Sequence, residues 1–219
     1  MLQNPASTVL NYSMLGPHLH FEEEAQAKGF SFIAGLDEVG RGALAGPVVA
    51  AAVILNPVRK LPVGLNDSKK VSRQERERIT LELKSNVLAF AVGEVPAPEI
   101  DRINILQATL VAMQQAVDNL SPDASFLLID ALKLPSTTLP QRAIIRGDAV
   151  CASIAAASII AKTYRDALMR DFDEVYPAYG FSSHVGYGTR RHLTAIQEHG
   201  PCPIHRRTFR GVLPVNSVQ

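Results

Sequence analysis

Hydrophobic positions along the chain alternate between short strand-like runs and longer stretches with helical spacing. Apolar runs bounded by glycine, proline or polar residues predict five strands, at 30–38, 46–55, 87–95, 125–130 and 143–148. Apolar residues recurring at three- and four-residue steps, together with capping signals, predict helices at 21–29, 73–85, 98–120, 153–172 and 189–198. Strands joined by short loops, followed by alternating helix and strand, predict an α/β fold with one mixed sheet flanked by helices and a small helical C-terminal segment.

Local sequence signals set several of these boundaries. Ser72 followed by Glu75 is a capping-box pattern, so a helix should begin at Arg73. The run Ala155-Ala156-Ala157 gives its helix a thin face that can lie close to a sheet. The segment His199-Gly200-Pro201 should close the last helix.

Composition narrows the class of protein. The chain has 219 residues, of which 47% are hydrophobic and only 2 are cysteine, which excludes intrinsic disorder and a disulfide scaffold. We expect an N-terminal extension (1–30), one main domain that includes the basic C-terminal segment (31–211) and a short tail (212–219). No secretory signal or membrane-spanning run is evident, so we expect a cytoplasmic monomer in which Cys151 and Cys202 are free thiols.

The net charge of +1 conceals an uneven distribution. From residue 181 to the end, five arginines and one acid give a net charge of +4, which leaves −3 for residues 1–180. A basic segment beside an acidic body indicates either a solvated surface or a binding site for phosphates.

Acidic residues fall at the ends of apolar strands, where burial of a charge is costly unless something compensates it. Asp37 and Glu38 end the first strand, Asp130 ends the fourth, and Asp148 ends the fifth predicted strand. Each acid alone could be a helix cap or a turn residue. Together they predict an oxygen-rich site for Mg²⁺ or Mn²⁺, whereas the cysteine and histidine spacing disfavours zinc.

Geometry sets a condition on that site. Adjacent side chains on a regular strand point to opposite faces, so Asp37 and Glu38 can share a site only if the strand ends or bulges there. Gly40 and Gly42 permit such a break, and their backbone N–H groups could hold a phosphate or a sugar hydroxyl. They are not a dinucleotide fingerprint, because the glycine spacing is wrong and a strand follows instead of a helix.

The residues that carry these signals form a familiar series. They are 34–42 (AGLDEVGRG), 45–53 (AGPVVAAAV), 65–70 (LNDSKK), 104–109 (NILQAT), 128–130 (LID), 147–148 (GD), 153–162 (SIAAASIIAK), 165–166 (RD), 179–181 (YGF) and 184–187 (HVGY). In this order they closely resemble bacterial ribonuclease HII, the type 2 ribonuclease H family, from about residue 31 to 211.

This resemblance implies a ribonuclease H-like sheet and an endonuclease that cuts the RNA strand of RNA–DNA hybrids and single ribonucleotides embedded in duplex DNA. It implies that two Mg²⁺ or Mn²⁺ ions act with the substrate, leaving 5′-phosphate and 3′-hydroxyl ends. The family's metal-binding catalytic acids correspond to the four acids chosen above. Its ribose-reading loop corresponds to Gly40, Arg41 and Gly42, and its junction tyrosine to Tyr187.

Two departures from the family pattern stand beside the active-site motifs. Ala131 replaces a usual glycine after the third acid, and Arg146 replaces a usual lysine before Gly147. The first could alter the loop around Asp130, and the second keeps the charge but changes how a phosphate would be contacted.

Several roles stay open at the level of sequence. Lys69, Lys70 and the C-terminal arginines would contact phosphates, although a lysine pair is usually a solvated surface feature and Tyr187 could be a packing residue. Lys162 and Arg165 could pair with acids or face the substrate. A hybrid-binding module without catalysis and a metal-dependent phosphatase for small substrates are the rival functions.

Overall fold

The computed structural model describes residues 16–213. Its strands are β1 Ile33–Val39, β2 Val48–Ile54, β3 Ala89–Val95, β4 Phe126–Asp130 and β5 Gln141–Ile144. They form one sheet in the order β3-β2-β1-β4-β5, in which β1, β2 and β3 are antiparallel while β4 and β5 run parallel to β1. The predicted mixed sheet is confirmed.

The helices cover both faces of this sheet. They are α1 His20–Ala27, α2 Arg73–Asn86, α3 Ala97–Ile103, α4 Ile105–Asp118, α5 Gly147–Val150, α6 Ala152–Val175, α7 Phe181–His184 and α8 Arg190–His199, with a short 3-10 helix at Pro177–Tyr179. Ser72 Oγ accepts a hydrogen bond from Glu75 N at 3.3 Å, so α2 begins at the predicted residue.

Every residue of β2 is buried because helices pack on both of its faces. Its side chains alternate between two apolar clusters. Val49 and Val53 pack with residues of α2 and α6 on one face. Ala50 and Ala52 pack with residues of α4 on the other.

The predicted close approach between the alanine-rich helix and the sheet is confirmed. A Cβ atom added to Gly35 of β1 would lie 2.2 Å from the backbone carbon of Ser153 at the start of α6. Only glycine allows this separation, since any larger residue would push the helix away from β1. The close contact places α6 directly against the strand that carries Asp37 and Glu38.

The single helix predicted over 98–120 is wrong. Asn104 interrupts it with a φ of 68°, and its side-chain oxygen accepts hydrogen bonds from Leu106 N at 3.0 Å and Gln107 N at 3.1 Å. The side chain therefore caps a new helix, α4, because asparagine tolerates this backbone region and competes for backbone donors.

The strand predicted over 143–148 is also misplaced. The structure places β5 at Gln141–Ile144, and Asp148 lies in the first turn of the short helix α5. Arg146, with a φ of 58°, turns the chain between these two elements. Asp148 is therefore delivered by a helix, not by the end of a strand.

The chain termini are described in part. Helix α1 is present as predicted, and the buried Ala25 packs with Ile33 and Ile154. Residues 1–15 and 214–219, which include the rest of the predicted extension and most of the predicted tail, lie outside the described residues. Between residues 16 and 213, no helix has the length and apolar character needed to span a membrane.

Candidate active site

Two of the four predicted acids lie side by side on neighbouring parallel strands. Leu36 of β1 pairs with Ile129 of β4, so the next residues, Asp37 and Asp130, are adjacent at the carboxyl ends of both strands. Asp37 is buried and Asp130 is partly buried. The sheet register therefore creates the pair.

A hydrogen bond brings the third acid to the same place. Gly147 N donates to Asp130 Oδ1 at 2.7 Å, which fixes the start of α5 beside the end of β4. Asp148 follows directly and is buried. Burial raises the pKa of Asp148, and the charges of Asp67 and Asp130 raise it further.

Glu38 reaches this group although β1 neither bulges nor ends at that residue. The pairing with β2 is regular through Asp37, Glu38 and Val39, so the condition set from the sequence is not met by a break in the strand. The two side chains leave β1 on opposite faces, yet Glu38 raises the pKa of Asp37 through its charge. Asp37, Glu38, Asp130 and Asp148 are called the acid cluster below.

The acid cluster carries more negative charge than its surroundings compensate. Burial raises the pKa of all four carboxyl groups, that of Asp37 well above its usual value. Repulsion adds to this effect, because Asp130 raises the pKa of Asp37, Glu38 and Asp148. A cation at this position would relieve both costs.

Lys69 supplies part of the missing positive charge. Its Nζ lies 3.9 Å from Asp148 Oδ2, and the side chain is otherwise exposed. Burial opposes its charge, but Asp148 and Asp67 together with the other acids raise the pKa of Lys69 above its usual value.

Asp67 belongs to this environment and was missed as a functional residue. Its charge raises the pKa of Asp130 and Asp148, and its Oδ1 accepts a hydrogen bond from Lys69 N at 2.9 Å. The sequence signal was present, since Asp67 lies within the 65–70 motif two residues before Lys69.

An unpaired carboxylate oxygen also indicates that the acid cluster could bind a divalent cation. Glu38 Oε2 is buried without a hydrogen-bond partner, whereas Glu38 Oε1 accepts a bond from Arg41 at 3.2 Å. A buried carboxylate oxygen without a partner is costly, and a hard cation is the natural ligand for it. Among residues 16–213, no group of three or more His, Cys, Asp or Glu side chains is placed so that it could hold a metal ion as it stands, so the carboxylates would have to rotate to bind one.

The loop Gly40–Gly42 follows β1 directly and lies against a buried arginine. Gly40 has a φ of 90°, and a Cβ atom there would lie 2.2 Å from Arg165 Nε. Arg165 is fully buried and donates to the carbonyl oxygens of Pro47, Val185 and Ala45 at 2.8–3.0 Å. Arg165 thus neither pairs with an acid nor faces the substrate, the two alternatives left by the sequence.

A second buried arginine holds the same loop. Arg206 is 0% exposed and donates to Gly46 O at 3.0 and 2.9 Å and to Arg41 O at 2.9 Å. Burial and the nearby Arg165 lower the pKa of Arg206 to about 9. The prediction that Arg206 contacts phosphate as part of the basic tail is therefore wrong, because its guanidinium is used inside the protein.

Arg206→Lys is expected to lower the free energy of unfolding by about 2 kcal/mol, because an ammonium group lacks the planar fork with which the guanidinium reaches Gly46 O and Arg41 O together. Thermal unfolding measures the loss. Arg207→Lys is the matched control, since Arg207 is exposed, and it should change stability by less than about 0.5 kcal/mol. Equal melting temperatures for the two variants would contradict this role of Arg206.

Tyr187 lies near the same buried arginine, Arg165, that the Gly40–Gly42 loop contacts. Its ring centroid is 5.7 Å from the guanidinium carbon of Arg165, and the residue is 36% exposed. Gly186 O accepts a hydrogen bond from Leu44 N at 2.8 Å, which joins this turn to the chain that follows Gly42. The structure therefore brings Tyr187 to the same part of the molecule as the Gly40–Gly42 loop.

The remaining predicted contacts divide between surface and interior. Lys70, Arg190, Arg191, Arg207 and Arg210 are exposed. Lys162 pairs with Asp166 at 2.7 Å, which is one of its two predicted alternatives. Cys151 and Cys202 are free, as predicted.

A family model described as ribonuclease HII matches residues 34–212, which include every member of the acid cluster. The chain belongs to the ribonuclease HII family. The family consists of ribonucleases H, endoribonucleases that cleave the RNA of RNA–DNA hybrids with the help of divalent metal ions. The acid cluster, the Gly40–Gly42 loop and Tyr187 thus lie in a ribonuclease HII chain.

Ribonucleases HII from bacteria are similar over most of this chain. That of Desulfitobacterium hafniense (strain DSM 10664 / DCB-2) is 54% identical over 194 residues, which are 89% of this chain and 74% of that protein. That of Syntrophotalea carbinolica is 50% identical over 194 residues, which are 89% of this chain and 92% of that protein.

Solved structures show the same fold. The ribonuclease H2 of Pyrococcus horikoshii OT3 is similar with a TM-score of 0.70 and 25% identity, over 83% of this chain and 95% of that one. Bst-RNase HIII, solved in complex with Mn²⁺, shares the fold with a TM-score of 0.63 and 20% identity, over 96% of this chain and 72% of that one.

The two departures from the ribonuclease HII pattern occupy unusual backbone positions. Ala131 has a φ of 51°, a region that glycine enters without strain and alanine enters at a cost of about 1 kcal/mol. Ala131 N still donates to Ile144 O at 3.0 Å. Alanine therefore keeps the turn that glycine would favour, and the carboxylate of Asp130 stays bonded to Gly147.

Proposed function

We propose that this chain cuts the RNA strand of RNA–DNA hybrids and incises duplex DNA at a single embedded ribonucleotide, acting as a monomer. Two Mg²⁺ or Mn²⁺ ions would be held with the substrate by Asp37, Glu38, Asp130 and Asp148. The products would carry 5′-phosphate and 3′-hydroxyl ends.

One observation carries the proposal, namely the uncompensated negative charge of the acid cluster. Four carboxyl groups with raised pKa values and one buried oxygen without a partner face only two cations, Lys69 and Arg41. Bound divalent ions supply activation of water and stabilisation of the leaving oxygen in phosphodiester hydrolysis. The carboxylates would hold these ions after rotating toward them, and they need form no covalent bond to the substrate.

The Gly40–Gly42 loop and Tyr187 would recognise the ribose. Gly42 is exposed with open space around its Cα, so a sugar-phosphate backbone can approach it closely. The 2′-hydroxyl is the group that distinguishes RNA from DNA at one position, and backbone N–H groups or the Tyr187 hydroxyl can bind it without reading a base.

Positive side chains would position the duplex. Lys69 lies beside the acid cluster, where its ammonium can contact a phosphate next to the scissile one. Lys70 and the exposed arginines of the C-terminal segment extend this basic character. Such contacts make affinity fall with salt concentration, by slightly less than one power per phosphate neutralised.

A labelled DNA duplex with one ribonucleotide tests the proposal. We expect cleavage with Mg²⁺ or Mn²⁺ at that nucleotide, none in EDTA and none of an all-DNA duplex, while an RNA–DNA hybrid is cut in its RNA strand. End labelling should show 5′-phosphate and 3′-hydroxyl products.

Two other results would reject parts of the proposal. Cleavage that persists in EDTA would exclude the metal-dependent mechanism. Duplex binding that does not change between about 50 and 200 mM salt would exclude the phosphate contacts, and it would favour an enzyme for small phosphate esters.

A further inference from the structure

Three buried histidines pack together beneath the turn that carries Tyr187. His184, His192 and His205, called the histidine stack below, are 8%, 0% and 2% exposed. The rings of His184 and His192 are stacked, with centroids 4.5 Å apart, and His192 Nε2 lies 3.0 Å from His205 Nε2. No step of the proposed hydrolysis uses them.

Backbone groups determine which nitrogen carries the proton in each ring. His192 Nδ1 lies 2.9 Å from Tyr187 O, and a carbonyl can only accept, so His192 Nδ1 carries a hydrogen. His205 Nδ1 accepts a hydrogen bond from Cys202 N at 3.0 Å, so its hydrogen is on Nε2. His205 Nε2 therefore donates to His192 Nε2, which continues the chain of hydrogen bonds to Tyr187 O.

Burial disfavours a positive charge on each ring of the histidine stack. Burial lowers the pKa of all three rings, and with the influence of His192 it lowers that of His205 to about 4. The charged groups nearby are Arg191, which opposes protonation of His184, and Asp173, which favours it. The Cys202 thiol also lies 3.1 Å from His205 Nδ1. Neutral rings with assigned hydrogens act as fixed donors and acceptors.

The backbone N–H and C=O groups of Tyr187 both form hydrogen bonds with residues 184–192. Tyr187 N donates to His184 O at 2.9 Å, while Tyr187 O accepts from His192 Nδ1 and also from Thr189 N at 2.8 Å. The Tyr187 side chain is partly exposed, and its ring lies over the guanidinium of Arg165. The backbone therefore sets where the phenol points.

We propose that His192, held in one tautomer by His205, is a positioning residue that orients Tyr187 toward the ribose. This inference rests on the proposed contact between Tyr187 and the substrate. His192 itself touches no reacting group; it acts through the carbonyl oxygen of Tyr187.

A pair of variants separates this role from simple packing. His192→Asn keeps an N–H donor near the position of Nδ1, whereas His192→Phe keeps a ring but removes the donor. For a duplex with one ribonucleotide, we expect His192→Phe to raise KM about tenfold with a smaller change in kcat, because one hydrogen bond is lost. His192→Asn should restore KM to within about threefold of the wild type.

Tyr187→Ala completes a double-mutant cycle. If His192 acts through Tyr187, the effect of His192→Phe disappears when Tyr187 is alanine, whereas full additivity would overturn the proposal. A Tyr187→Ala variant with wild-type KM would overturn it together with the substrate role of Tyr187. Absence of any ribonucleotide-specific cleavage by the wild type would instead reject the proposed function.

A spectroscopic measurement on the wild type covers the case in which His192→Phe does not fold. Long-range ¹H–¹⁵N correlation spectra at pH 7 should show hydrogen on Nδ1 of His192 and on Nε2 of His205. The opposite tautomers would overturn the proposal without reference to activity.

Discussion

Replacing Asp37 by asparagine is expected to lower the cleavage rate at least about 100-fold while the protein stays folded. Loss of a residue that only orients a metal ligand already costs about 10- to 100-fold, and Asp37 is proposed as a ligand itself. The side chain is buried at the centre of the acid cluster, between Glu38 and Asp130. Single-turnover kinetics with a duplex containing one ribonucleotide, in Mg²⁺ and in Mn²⁺, measures the loss.

Asp118→Asn is the matched control, because it removes the same charge from an exposed position at the end of α4. It should leave cleavage unchanged. In EDTA, Asp37→Asn should melt at the same temperature as the wild type or higher, since it removes repulsion within the acid cluster. An active Asp37→Asn variant would remove Asp37 from the proposed site, and an unfolded one would assign it a structural role.

Gly35→Ala is expected to lower the free energy of unfolding by about 3 kcal/mol, the upper end of the usual cost of overpacking. The new Cβ would lie 2.2 Å from the backbone carbon of Ser153 and 2.4 Å from Ile154 N, and backbone atoms cannot rotate away. For a domain of this size the melting temperature should fall by roughly 6–12 °C.

Gly42→Ala tests whether the effect is specific to close packing. Its added Cβ would meet nothing within 4 Å, so the melting temperature should stay within about 2 °C of the wild type. If Gly35→Ala were as stable as Gly42→Ala, the separation between β1 and α6 could not be as short as the structure has it.

Strand and helix identities follow from local patterns where the signal is strong. The unbroken apolar run of β2 and the capping box at Ser72 were sufficient to predict those elements. The error at Asn104 has a local cause that hydrophobic spacing does not reveal, since apolar residues continue at helical steps across a residue whose side chain ends one helix and begins another. The wrong strand boundary before Asp148 also has a local cause, because the turn at Arg146 interrupts the apolar run from which the strand was predicted.

The acids could be chosen from sequence because a carboxylate beside buried apolar residues needs compensation wherever it lies. The proximity of these four carboxyl groups in space could not be derived from the sequence. It depends on the parallel register of β1 with β4 and on the hydrogen bond from Gly147 to Asp130, both of which join residues far apart in the chain. Asp67 lies within the 65–70 motif, but its proximity to Asp148 comes from the fold.

The sequence by itself determined the mixed α/β class, the identity of the four acids and the resemblance to ribonuclease HII, because these depend on residue type and order. Tertiary structure alone decided which charges face water. Arg206 counted as part of a basic tail in the sequence, yet packing buries it against Gly46 and Arg41, while Arg207 beside it stays exposed. Charge is a property of the residue, but burial and hydrogen-bond partners come from residues distant in the chain, so only the folded protein assigns them.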